Sequence, residues 1–262
     1  MSNQQESTVR TLMVALIVCM VCSVFVAGAA IALRPLQVEN RLLDKQRSIL
    51  AIAGLGEDGM SAKQINALYD DRITTRIVDL TTGQYSDAFD PLVYDQMKAV
   101  KDPKLSQVLS GDQDIASIKR RERYATVYLV EDQGEVEKVI LPVRGYGLWS
   151  TLYGFIALKS DLNTVVGFGF YQHGETPGLG GEVDNPKWKG LWQGKTLFDG
   201  SGELAVEIIK GGVDPQNPKS VHQVDALAGA TLTSIGVNNL LYFWLGENGF
   251  GPFLEKLHKG EA

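Results

Sequence analysis

Three hydroxyls, Thr231, Thr233 and Ser234, follow the small-residue run Asp225-Ala226-Leu227-Ala228-Gly229-Ala230. Directly after them, Ile235, Val237, Leu240, Leu241, Trp244 and Leu245 recur at the spacing of a helix with one buried face. The hydroxyls therefore stand at a helix mouth, where Thr233 or Ser234 is expected to act as the cap. Unpaired N–H groups and the positive end of the helix dipole would then face Thr231 and Gly229, which makes a seat for an anion or a phosphate. An ordinary capped helix start uses the same residue types, and this stretch alone does not separate the two readings.

Two other glycine-rich loops carry residues suited to holding a ligand. In Arg144-Gly145-Tyr146-Gly147-Leu148-Trp149-Ser150, glycines permit close backbone approach and Tyr146 or Trp149 offers apolar contact to a planar group. A hairpin loop with exposed aromatics fits equally well. The other loop, His173-Gly174-Glu175-Thr176-Pro177-Gly178-Leu179-Gly180-Gly181-Glu182, follows an alternating apolar run, and its glycines imply unusual backbone angles or a ligand close to the main chain. His173, Glu175 and Glu182 are a weak ligand set for a metal, and no metal site is assigned. Trp188 and Trp192 either cover an apolar ligand or pack the core. No GxxxxGK[ST] loop, strand-linked GxGxxG or GxSxG elbow occurs, so the usual nucleotide and serine-hydrolase signatures are missing.

The elements that must position these loops follow from hydrophobic period. Alternation predicts strands over residues 124–130 and 136–143, joined by the Asp132-Gln133-Gly134 turn, and over 154–158, 164–171 and 204–209. Earlier in the chain, helices are expected over 39–53, ending near Gly54-Leu55-Gly56, over about 61–69 behind a Ser61 cap, and over 91–100 with Pro91 at its start. A short strand over 76–80 closes at the Thr82-Gly83 turn. The sum is an α+β fold, a single globular domain with an antiparallel or mixed sheet flanked by helices.

Residues 11–33 form an uncharged apolar run between Arg10 and Arg34, long enough to cross a bilayer core of ~30 Å as one transmembrane helix. A cleaved leader ending near Ala27-Gly28-Ala29 is the alternative, although its apolar core is usually shorter. Arg34, Arg41, Lys45 and Arg47 after the run outnumber Arg10 before it, which by the positive-inside rule points the C-terminal part to the cytoplasm. Both cysteines, Cys19 and Cys22, lie within this run, so the rest of the chain can form neither a disulfide framework nor a cysteine-bound metal site. The net charge of −6 argues against a nucleic-acid partner.

The anchor, the Glu175-Thr176-Pro177-Gly178-Leu179-Gly180 loop, Gly229-Ala230-Thr231-Leu232-Thr233-Ser234 and the ending Phe243-Trp244-Leu245-Gly246-Glu247-Asn248-Gly249-Phe250-Gly251-Pro252-Phe253 coincide in one chain. Together they resemble the NqrC family of the Na+-translocating NADH:quinone reductases, related to the G subunit of Rnf (RnfG), over nearly the whole length. The resemblance implies FMN attached covalently through a phosphoester to Thr231. Gly229, Ala230, Leu232 and Thr233 would surround the tether, while Glu175, Thr176, Leu179, Leu148 and Trp149 would line the flavin. It implies an electron relay, neither the NADH-reacting nor the quinone-reacting site, in a membrane complex of six subunits that oxidises NADH, reduces ubiquinone and exports Na+. Expected partners are the other five subunits (A, B, D, E and F), a flavin transferase that attaches FMN, and membrane lipid. The expected location is a bacterial inner membrane, single-pass, with the domain on the periplasmic side, although the loop charges point the other way. Ala228 departs from the family pattern, where Ser or Thr is usual. No catalytic residue is assigned, because the redox chemistry belongs to the cofactor. The corresponding domains are an N-terminal tail (1–10), a transmembrane helix (11–33), a helical linker and packing region (34–122) and an FMN-binding domain (123–258). An Rnf-type electron carrier, or a membrane-anchored assembly module without a cofactor, are the competing readings; bound flavin and the identity of the partners distinguish them.

Overall fold

The computed structural model describes residues 8–57, 59–132 and 134–262, which divide into two compact units at Asp44/Lys45. Helix α1 (Thr8–Ile52) is long and apolar enough to cross a membrane, and its side chains through Leu42 are exposed. The sequence predicted two helices here, over 11–33 and 39–53, but one helix runs through Pro35. Pro35 lacks an N–H to donate and its ring crowds the carbonyl one turn before it, but flanking helix formers such as Leu33, Leu36 and Gln37 carry the helix onward. Its end matches the glycine signal: Gly54 takes φ +70°, while the Leu55 N–H reaches the Leu50 carbonyl (2.9 Å) and the Gly54 N–H reaches that of Ala51 (3.0 Å).

The second unit begins with the last turns of α1, where Ile49, Leu50, Ile52 and Ala53 are buried. Ser61 and Gln64 form a reciprocal capping box on α2 (Ala62–Arg72). β1 (Ile73–Asp79) and β2 (Gln84–Tyr85) follow, turning at Gly83, φ +68°. The helix expected over 91–100 is reduced to α3 (Gln96–Ala99). Asp90 captures the Leu92 N–H in a separate turn, and Asp95 caps the Lys98 N–H, so the helix starts late. β3 (Ser106–Val108) pairs with β4 (Arg120–Glu122), and neither is visible in the sequence because both are short and polar.

β5 (Tyr124–Asp132), β6 (Glu135–Tyr146), β7 (Thr151–Lys159) and β8 (Val165–Gln172) complete an antiparallel six-stranded sheet in the order β2-β1-β5-β6-β7-β8. Asp132 pairs with Glu135 across the expected turn; Gln133 lies outside the described residues. Beyond β8 come a 3₁₀ turn (Gly180–Asp184), α4 (Pro186–Gly190), the parallel pair β9 (Glu207–Ile209) and β10 (Gln223–Asp225), α5 (Thr231–Leu245) and α6 (Gly251–Lys259). The strand expected over 204–209 is thus confined to its last three residues.

Central strands are apolar on both faces because both are covered. Val127, Leu129, Val139, Leu141, Val143 and Ile156 join Val237, Leu240, Leu241 and Trp244 of α5 in the main core. On the other face Tyr128, Phe155 and Tyr171 make ring contacts, with the Lys45 ammonium 5.3 Å from the Tyr128 ring centre. A Cβ on Gly167 would stand 2.5 Å from the Ile52 carbonyl oxygen, so the end of α1 lies directly on β8.

Candidate functional site

The β6–β7 hairpin closes in four residues, with Tyr146 paired to Thr151 and the Gly147 N–H donating to the Ser150 carbonyl (2.8 Å). Its tip exposes Leu148 and Trp149. The base of the hairpin is held by a buried ion pair in which Arg144 donates two hydrogen bonds to Glu122 (2.6 and 2.7 Å), while the Trp244 indole donates to the Arg144 carbonyl (2.7 Å). Strand and helix touch at glycines: a Cβ on Gly236 of α5 would lie 2.4 Å from the Tyr146 carbonyl oxygen. This close approach places the hairpin tip beside the N-terminal turn of α5.

That turn begins at Ala230 with no side chain capping it. The expected caps are engaged elsewhere. Ser234 donates to the Ala230 carbonyl (3.1 Å) and accepts the Leu227 N–H (3.0 Å), and the Thr233 hydroxyl donates to Glu175 (2.8 Å). Helical backbone already includes Thr231, so both residues lie too far into the helix to cap it. Thr231, the first helical residue, is exposed, as are Leu232 and Ile235. Ile235 belonged by periodicity to the buried face; at 49% exposure it extends the outward surface instead. The preceding loop is pinned by Asp225, whose carboxylate accepts the Val213 N–H (2.7 Å) and whose carbonyl accepts the Trp188 indole N–H (2.9 Å). Trp188 and Trp192 are both core residues, packed with Phe168.

The loop after β8 closes the third side. Glu175, 5% exposed, accepts the N–H groups of Leu148, Trp149 and Ser150 at 3.0–3.2 Å as well as the Thr233 hydroxyl. Burial pushes its carboxyl pKa up, but these donors outweigh burial and hold it below the ordinary carboxylate range. His173 accepts the Glu175 N–H at Nδ1 (3.2 Å) and meets Asp184 through Nε2 (2.7 Å), while Glu182 takes the Asn185 amide (2.7 Å); the three residues weighed as metal ligands go to separate partners. Thr176 and Leu179 are exposed, and a Cβ on Gly229 (φ +70°) would stand 3.2 Å from a Leu179 methyl. The three glycine loops thus meet at one place. Glu175 and Thr233 lie beneath it and Ala230 is buried, whereas Thr231, Gly229, Leu232, Thr176, Leu179, Leu148 and Trp149 form its surface. The role of Ser150 and the close approaches at Gly147, Gly180 and Gly236 are not legible in the sequence, since a contact between distant loops leaves no local pattern.

Residues 147–246, which include all three loop sites, match the FMN-binding domain family. The C subunit of the Na(+)-translocating NADH-quinone reductase of Pseudomonas aeruginosa is 73% identical over 262 residues, covering all of both chains. The chain belongs to the NqrC family. The equivalent protein of Yersinia pestis is 50% identical, covering 98% of this chain and 96% of that one. The crystal structure of Shewanella oneidensis NqrC superposes with a TM-score of 0.75 at 36% identity, over 82% of this chain and 97% of that one. The Parabacteroides distasonis counterpart gives 0.65 at 29% identity, covering 85% and 96%. In an NqrC protein, the convergence of the loops has a direct fit to FMN: an uncapped helix N-terminus for phosphate, an exposed hydroxyl beside it and apolar side chains for a flat ring.

Proposed function

We propose that Thr231 carries FMN through a phosphoester bond, with the flavin resting against Leu148, Trp149, Thr176, Leu179 and Leu232. The observation that carries this reading is the start of α5, where first-turn N–H groups lack a side-chain cap and the Thr231 hydroxyl is exposed beside them. A phosphodiester there takes the place of the cap, and the dipole favours its charge by about 0.3–1 kcal/mol, up to ~2 when shielded. Thr233 is a poor tether because its hydroxyl is fully buried and already donates to Glu175. Gly229, in left-handed backbone, keeps the approach to Thr231 open and abuts Leu179.

The protein is an electron-carrying FMN subunit of the Na+-translocating NADH:quinone reductase, a multi-subunit oxidoreductase. When bound, FMN supplies reversible acceptance and release of electrons. The chain's own residues bind, orient and partly shield it, and none is assigned a proton to transfer. The FMN-binding unit is proposed to span 123–258, preceded by the linker and packing region 34–122, the anchor 11–33 and the tail 1–10. We assign a single membrane crossing by α1 in the bacterial inner membrane with the domain in the periplasm, the A, B, D, E and F subunits as neighbours, contact with lipid, and maturation by a flavin transferase.

The test is expression of the full chain with a flavin transferase. The wild type should be yellow, keep its flavin after denaturation, and yield a Thr231 peptide heavier by the mass of the FMN phosphoester. Thr231→Val should be colourless; an equally yellow Thr231→Val chain overturns the assignment. A C-terminal phosphatase fusion, active only outside the cytoplasm, tests the orientation.

A further inference from the structure

A carboxylate withdrawn from water costs the fold free energy unless its lone pairs are used. Glu175 uses them on groups from two segments far apart in sequence. Three consecutive N–H groups, of Leu148, Trp149 and Ser150, converge on it from the hairpin tip. The Thr233 hydroxyl reaches it from the first turn of α5. The contacts are close enough to exclude other side chains: a Cβ on Gly147 would stand 2.7 Å from Glu175 Oε1, and one on Gly180 would stand 2.7 Å from Oε2 and 2.5 Å from Thr233 Oγ1. Gly147 and Gly180 thus leave the space that the carboxylate occupies. Because both oxygens face inward to protein donors, Glu175 lies behind the ligand surface, not on it.

We infer that Glu175 is the positioning residue of the site: a buried anionic clasp that fixes the hairpin tip bearing Leu148 and Trp149 against the helix turn bearing Thr231. In doing so it sets the shape of the flavin slot and the potential of the flavin held there. The inference rests on the Thr231 reading for its second half alone. Two physical effects follow. Fixing both walls before the ligand arrives removes ordering cost from binding. A permanent negative charge under the slot opposes the arrival of an electron above it, so the clasp keeps the flavin harder to reduce than a neutral one would.

Full-length variants test this with two readouts. In chains made without the transferase, amide hydrogen exchange at Leu148, Trp149 and Ser150 should accelerate about tenfold or more in Glu175→Gln, whose one remaining acceptor oxygen lacks the charge that strengthens all three bonds, while β5 and β6 amides stay at the wild-type rate. Thr233→Val should accelerate the same three amides less, and Thr233→Ser, which keeps the hydroxyl, should restore them. In chains loaded with FMN, Glu175→Gln should shift the flavin midpoint potential to more positive values. Exchange at the hairpin tip within about twofold of wild type in both Glu175→Gln and Thr233→Val, or an unmoved potential in Glu175→Gln, overturns the inference. Should Glu175→Gln lose sheet protection as well, the Thr233→Val and Thr233→Ser pair decides, since it leaves the carboxylate in place. Failure of the tether is seen separately, as a Thr231→Val chain that remains yellow, and leaves the exchange result on unloaded protein standing.

Discussion

Thr231, Thr233 and Ser234 occupy a single turn but meet three environments, which explains why their types were legible in the sequence and their roles were not. Spacing made Thr233 and Ser234, the two nearest the apolar run, the candidates for the cap. The structure gives Thr233 to Glu175 and Ser234 to Leu227 and Ala230, leaving Thr231 exposed. The first of these partnerships joins residues 58 apart in sequence, so no local pattern announces it. The charge on Glu175 also makes stability depend on pH. Its folded pKa lies below the ordinary value of about 4.3, so its contribution is complete above that value and is lost as pH falls through the lowered folded pKa. Thermal melts of wild type and Glu175→Gln should therefore converge as the solution is acidified through that window, with the wild type ahead at neutral pH. A constant gap across the whole acid range would mean that the carboxyl's charge contributes nothing.

Elements were legible where their pattern is long. β5 through β8, the Ser61 cap and the Gly54 stop follow from alternation and end signals, and α5 from its periodic apolar residues. Short polar elements such as β3, β4 and β10 carry too few residues for a period to show. The helix expected over 91–100 failed for a different reason, because Asp90 and Asp95 each captured backbone N–H groups of their own. Close contact between elements was hidden altogether, and the seam between β6 and α5 shows its consequence. Gly236→Ala would put a methyl 2.4 Å from the Tyr146 carbonyl oxygen, a rigid backbone atom, so α5 must move off the strand. We expect a loss of about 1–3 kcal/mol and, with the hairpin tip displaced from Thr231, poorer flavin loading. Denaturant midpoints and flavin-to-protein absorbance ratios measure both. Gly190→Ala, where a Cβ meets nothing within 4 Å, is the matched control and should change neither.

At the scale of the whole molecule, the sequence divides at residues 33/34, after the apolar run, whereas compactness divides the chain at Asp44/Lys45. The difference lies in the last two turns of α1. Ile49 is fully buried and Leu50 nearly so, so these turns belong to the core although they continue a helix that began as a membrane anchor. Their amphipathic pattern was visible from Glu39 onward, but a helical pattern does not say which sheet it will cover. Burial of Ile49 and Leu50 alone is worth about 3–6 kcal/mol, at roughly 1.5–3 for each large aliphatic side chain. That is comparable with the total stability of about 5–15 kcal/mol expected for a domain. A fragment starting at Gln37 should therefore melt cooperatively, while one starting at Leu55 should bare the face of β8 under Ile52, unfold at much lower denaturant and aggregate. Equal midpoints for the two fragments would show that these turns pack on the sheet without stabilising it, and that the anchor could be cut anywhere before α2 without cost.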